Sequence, residues 1–191
     1  MTGKERGNDL KIALTVGHSQ LKNGSYTSAD GRKYGGCNEY KWNRAFSKQV
    51  AAALRKNGHK VTRIICPEKK FLSSVQERRY KLDIIERGAY DLVMELHLNA
   101  ASPSAKGTEV LYQSSAGKKY AQKVQKQLST IFTNRGIKQR NDLYILNSTK
   151  PPAILLETFF CTNKSDYKKA KGLAKRTKLA KLVAKGIGKA K

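Results

Sequence analysis

Apolar residues fall along this chain in two rhythms. Six short continuous runs, KIALTV (11–16), KVTRIIC (60–66), DLVMELHL (91–98), GTEVLYQ (107–113), DLYIL (142–146) and AILLETFF (153–160), are bounded by polar or turn-forming residues. Runs of this length predict buried strands. Between them the apolar residues recur every three or four positions. Trp42, Phe46, Val50, Ala53 and Leu54 form one stripe of a helix predicted from about Glu39 to Asn57, with Asn38 as its cap and Gly58 as its stop. SVQE (74–77) has the spacing of a capping box and predicts a helix to about Arg87. Val124, Leu128, Ile131 and Phe132 line the inner face of a helix predicted over about 116–134. Asp166 is placed to cap a last helix that runs nearly to the C-terminus.

Strands alternating with helices predict an α/β fold: a single domain with a mostly parallel, twisted six-stranded sheet flanked by helices. A chain of 191 residues suffices for one such domain, with its core expected over about 11–190. The loop 19–37, rich in Gly, Ser, Asn and Asp, is long for a plain connection, and such loops often carry function.

In open α/β sheets the site lies outside the carboxyl ends of the strands. Three predicted strands end in chemistry there. The first delivers His18 in TVGHSQ, the third His97 in MELHLN, and the sixth Glu157 in ILLETFF; Glu39 opens the first helix. Each alone has a plain explanation. His18 reads as a turn histidine, His97 as a hydrogen-bonded core histidine, and Glu39 as a complement to the helix dipole. Glu157 is harder to dismiss, because a carboxylate in a central strand needs a partner to offset desolvation. His59, in a helix-to-strand turn, is assigned no role. Together, two imidazoles and a carboxylate suit a tetrahedral Zn²⁺ with its fourth position open, and a further carboxylate suits a general base. Ligands so far apart in sequence are not specific by spacing alone.

Composition narrows the partners. Lys plus Arg is 39 against 14 Asp plus Glu, a net charge of +25. Such a surface seeks a polyanion, whether nucleic acid, teichoic acid, acidic glycan or anionic lipid. No nucleic-acid motif accompanies it; a basic nucleic-acid-binding α/β module without catalysis is the alternative reading. Cys37, Cys66 and Cys161 are odd in number and far apart, which argues for reduced, structural thiols, with a reservation for Cys37, two residues from Glu39. MTGKERGNDL lacks the apolar core of a signal peptide, and no stretch approaches a membrane span. Leu179, Leu182, Val183 and Ile187 stripe an acid-free tail, which reads as a helix packed on the sheet rather than one lying on a membrane.

The ordered motifs VGHSQ, GGCNEYKWNRAFSKQVAAALRKNGHKV, DLVMELHLNA, GTEVLY and RGIKQRNDLYILNSTKPPAILLETFFCTN resemble the zinc-dependent N-acetylmuramoyl-L-alanine amidases (amidase type 3) of bacterial autolysins and phage endolysins. The resemblance implies one zinc per chain held by His18, Glu39 and His97, with Glu157 as the catalytic glutamate. It implies hydrolysis of the amide joining N-acetylmuramic acid to L-alanine of the peptidoglycan stem peptide. Asn99, beside His97, is expected to orient it or the substrate. Two positions depart from the family pattern. Glu95 stands where a small residue, often Ser, is usual, and shares a face with His97; it is expected to partner a ligand or a nearby basic group, or to alter the charge of the site. Ser19 stands where the family has Gly. No stretch after these motifs reads as a separate wall-binding domain: either the basic surface is expected to hold the chain to anionic wall polymers in place of one, with no specific nucleic acid as partner, or such a domain has been removed. The lack of an export signal fits a chain made in the cytoplasm that acts on the cell wall after endolysin-like release, and equally a mother-cell lysis enzyme.

Overall fold

The structure, a computed structural model, describes residues 9–188; the segment 1–8, on which the signal-peptide expectation chiefly rests, lies outside the described residues. The strands are β1 (Lys11–Val16), β2 (Lys60–Ile64), β3 (Leu92–Asn99), β4 (Thr108–Tyr112), β5 (Asn134–Gln139) and β6 (Ala153–Phe160). The helices are α1 (Glu39–Lys56), α2 (Ser74–Arg87), α3 (Ser115–Leu128), α4 (Tyr144–Asn147), α5 (Lys164–Ala170) and α6 (Leu173–Ile187). The strands join in one sheet in the order β2-β1-β3-β6-β4-β5. All neighbours are parallel except β4 and β6. The carboxyl ends of β1, β3 and β6 therefore meet at one edge, side by side in the middle of the sheet.

Strand alternation sorts the side chains into two cores. Leu14, Met94, Leu96, Leu98 and Leu156 face α1, α3 and α6, where Phe46, Val124 and Val183 are fully buried. Ala13, Val93, Leu111 and Leu155 face the other way, onto Ile85 of α2 and Ile145 and Leu146 of α4. Glu95, His97 and Glu157 stand on this second, thinner side by the same alternation.

The predicted elements need correction at several places. The run 142–146 is not a strand: it turns at 141–143 and enters α4, because Ile145 and Leu146 cap the second core rather than pair with a neighbour. The fifth strand is the polar stretch Asn134–Gln139 instead, an edge strand largely exposed along its length and so without an apolar rhythm. The helix predicted over 116–134 ends at Leu128, and its tail supplies that strand. SVQE is no capping box: Ser73 is the N-cap without a side-chain bond, and Glu77 is turned to other partners. The last helix is two. Asn163, not Asp166, caps α5, and Gly172, at φ 92°, breaks the chain before α6. Asp166 instead accepts from the backbone N–H of Gly107 at 2.8 Å, tying α5 to the start of β4. The apolar stripe of α6 packs against α1 and α3, as expected of a helix on the sheet.

Candidate metal centre

β1 ends at Val16, and Gly17 continues its pairing by donating to the Leu96 carbonyl at 3.0 Å. The His97 ring lies directly over Gly17. A Cβ there would come within 2.2 Å of His97 Nε2, so any other residue at this position would displace that ring. His18 follows in the left-handed region at φ 66°, a costly conformation for a residue with a side chain and one that clusters at functional sites. The turn throws its imidazole back toward His97, with ring centroids 4.9 Å apart.

Glu39 reaches the same point from the first turn of α1, whose cap is Asn38, accepting from Lys41 N as expected. Its carboxylate is 3% exposed and fully engaged. Oε1 lies 3.0 Å from His97 Nδ1 and accepts from the N–H of Leu98; Oε2 lies 3.3 Å from His18 Nε2 and accepts from the N–H of Ala29. Burial pushes this carboxyl upward, but the two imidazoles outweigh it and hold the group well below the usual carboxylate range. One donor atom from each of His18, Glu39 and His97 lies within 4.8 Å of the others. Such a set could hold a metal ion. Two imidazoles and one carboxylate, gathered from three separate elements onto one point, have the donor chemistry of a catalytic site.

Behind His97 stands Glu95, fully buried. Its Oε2 lies 3.2 Å from His97 Nε2, a close polar contact without hydrogen-bond geometry. Its Oε1 accepts from Lys81 Nζ at 2.5 Å and from the Tyr144 hydroxyl at 2.7 Å. Lys81, 1% exposed, also donates to the Val16 carbonyl, at the end of β1. Burial raises the Glu95 carboxyl, yet Lys81 and then His97 reverse the balance and keep it ionised. His97 between two carboxylates is in turn raised to about 10, burial being outweighed by Glu39 and Glu95. Glu95 thus joins His97 to a basic group, Lys81. Ser19, the other departure from the family pattern, donates its hydroxyl to Glu77, which Thr27 also meets at 2.9 Å.

Glu157 pairs with His97 in the β3–β6 register. Its Oε2 is shut from solvent and has no hydrogen-bond partner among the described residues. Burial pushes its pKa up to about 8; His97 opposes this, and Glu39, Glu109 and Glu95 add to it. Asn99 does not reach His97; its amide donates to Glu109, opposite Glu157 on β4. His59 sits away from the site, bridging Leu10 N and the Gly188 carbonyl. Cys37, Cys66 and Cys161 are buried free thiols, with burial raising each.

His18, His97 and Glu157 open into a cleft of about 500 Å³ whose other walls come from α2 and the segment 140–145. Lys81 and Tyr144 were not legible in the sequence. Lys81 is one of several basic residues in SVQERRYKLDIIER, and Tyr144 lies in the run read as a strand.

Among the described residues no helix is long and apolar enough to cross a membrane. The sequence profile of the family described as N-acetylmuramoyl-L-alanine amidase matches residues 12–189. The catalytic domain of the CD27L endolysin targeting Clostridia difficile is 49% identical, with a TM-score of 0.88 over 93% of this chain and 96% of that one. LytC of Bacillus subtilis (strain 168), an N-acetylmuramoyl-L-alanine amidase, is 32% identical over 120 residues, 59% of this chain and 23% of LytC. YqiI of the same organism is 34% identical over 103 residues, 51% of this chain. The chain spans half of YqiI and under a quarter of LytC.

Proposed function

Because the chain belongs to the N-acetylmuramoyl-L-alanine amidase family, we propose that it hydrolyses the amide between N-acetylmuramic acid and L-alanine of the peptidoglycan stem, in the manner of an endolysin catalytic domain. The observation that carries this is the Glu39 carboxylate buried between His18 and His97, with the unpartnered Glu157 oxygen on the adjoining strand. One Zn²⁺ per chain is the ion this donor set suits, held by His18, Glu39 and His97. Zinc supplies a Lewis acid that polarises the amide carbonyl and makes water a better nucleophile near neutral pH.

The chain's own residues do the rest. Glu157 takes the proton of the attacking water and delivers it to the departing amine of L-alanine, so no covalent intermediate forms. A base with a raised pKa is suited to both halves of that transfer. Glu95, pinned by Lys81 and Tyr144, steadies the ring of His97. Asn99 holds Glu109 beside the site. The basic surface holds the enzyme on anionic wall polymers, the peptidoglycan itself being the substrate.

Metal analysis of the purified protein combined with mass spectrometry of digested walls tests this reading. The expected result is one zinc per chain, stem peptides released with free L-alanine amino groups, and loss of release with chelator. Digestion at full rate after complete metal removal, or scission only within the glycan or between stem residues, would sink it.

A further inference from the structure

Most of the charged groups lining the cleft are engaged by one another or by hydroxyls. Lys81 is paired with Glu95. Arg140 is paired with Asp142 through two hydrogen bonds of 2.8 and 2.6 Å. Glu77 is met by the hydroxyls of Ser19 and Thr27. Glu157 belongs to the reaction. Arg78 is left over: among the described residues no carboxylate pairs with it.

Its side chain is exposed at the cleft, and its guanidinium is hydrogen-bonded to its own helix. Nε donates to the Ser74 carbonyl at 3.3 Å and Nη2 to the Ser74 hydroxyl at 3.2 Å, one helical turn back. The group lies 5.7 Å from the centre of the Tyr144 ring. The hydroxyl of that ring donates to Glu95, which touches His97. An oriented cation with spare N–H groups therefore stands one aromatic ring away from the residues behind the metal centre.

The amide to be cleaved is neutral and gives such a cation nothing to bind. The stem peptide does: past L-alanine, one extended residue of about 3.5 Å brings the next side chain or carboxyl group into reach. Arg is suited to carboxylate through its planar fork of donors. Resting on the amidase reading above, we propose that Arg78 forms a carboxylate-binding subsite for the stem peptide. The cleft then prefers stems whose second residue is isoglutamate, with its free carboxylate, over stems amidated there as isoglutamine.

The test compares two substrates of the zinc-loaded protein, both capped at the γ-carboxyl as the methylamide: N-acetylmuramoyl-L-alanyl-D-isoglutamate with its α-carboxylate free, and the same compound with that carboxyl amidated. The expected ratio of kcat/KM favours the acid by about tenfold, the scale of one charge-assisted contact. Arg78→Gln brings the ratio toward one. Arg79→Gln, which removes the same charge from the next helix position outside the cleft, keeps it. A second readout needs no turnover: L-alanyl-D-isoglutamate γ-methylamide, and not its α-carboxamide, should shift the Arg78 Nε–H signal in NMR. Cleavage of both substrates at equal rates, or a preference that survives Arg78→Gln, overturns the subsite and leaves the amidase reading standing. Binding of the dipeptide at Arg78 without cleavage of either substrate leaves the subsite standing and overturns the amidase reading.

Discussion

At the scale of single residues the site rests on atoms with no slack. Gly17 is one: because the His97 ring occupies the space of its missing Cβ, Gly17→Ala should displace that ring. The expected outcome is a folded protein by circular dichroism whose zinc affinity, measured by chelator competition, falls at least tenfold; unchanged affinity would show the ring is not fixed there. Glu157 is another. Glu157→Gln keeps its volume and removes the base, so zinc should still bind while turnover falls by roughly 10²–10⁴. The same substitution has a signature in the metal-free protein. Glu157 is raised from the ordinary carboxylate range to about 8, so the folded chain holds a proton that the unfolded chain has released. The stabilising contribution is full below the ordinary carboxylate pKa and is lost as pH rises through about 8. The stability difference between wild type and Glu157→Gln, followed by urea unfolding of the metal-free proteins, should therefore turn against the wild type between about pH 5 and pH 8; a flat difference would mean that the carboxyl is not buried. His18, His97 and Glu157 were legible because each interrupts or ends an apolar run on the edge where an α/β sheet does chemistry. Glu39 could not be told from an ordinary helix start until the motif order singled it out. Arg78 carried no signal, since its meaning comes from which charges around it are already paired.

At the scale of elements, the sequence was read well where burial writes a pattern and badly where it does not. Five of the six strands, four of them buried runs and β2 a half-buried edge, sit within two residues of their expected bounds. The edge strand Asn134–Gln139 buries little, so its residues record turn and pairing chemistry rather than hydrophobicity. The run at 142–146 shows the converse error: a one-turn helix that plugs a core face is as apolar as a strand. The two-helix ending was hidden because only Gly172 marks the break. What fixes α6 on the sheet is a close backbone approach. A Cβ at Gly186 would lie 2.7 Å from the Val124 Cα of α3, which has no side-chain freedom to yield. Gly186→Ala should therefore push the two helices apart and cost about 1–3 kcal/mol in urea unfolding, the usual price of overpacking, despite alanine's better helix propensity. A gain in stability would show that α6 is loosely seated.

At the scale of the whole molecule, a net charge of +25 is unexplained by the chemistry, because scission of a neutral amide does not need it. Its placement is informative. From Lys164 to Gly188 the only acid is Asp166, which is 1% exposed and turned inward, so the outer faces of α5 and α6 carry lysines without counter-charges of their own. Those helices pack with α1 and α3 on the face of the sheet opposite Glu95 and Glu157. A polyanion held there would leave the cleft free to work, which suits attachment of the enzyme to an anionic wall. Attraction between exposed charges is screened over about 10 Å at 0.1 M salt. Release of stem peptides from intact walls should thus fall steeply as salt rises. Hydrolysis of a small soluble muramyl peptide, which needs only the cleft, should change far less. Replacing Lys168, Lys169, Lys175 and Lys178 by Gln should flatten the salt dependence on walls while sparing the soluble substrate. Equal salt sensitivity of the two substrates would move the effect into the cleft or the folding equilibrium, and the lysines of α5 and α6 would lose their assigned task.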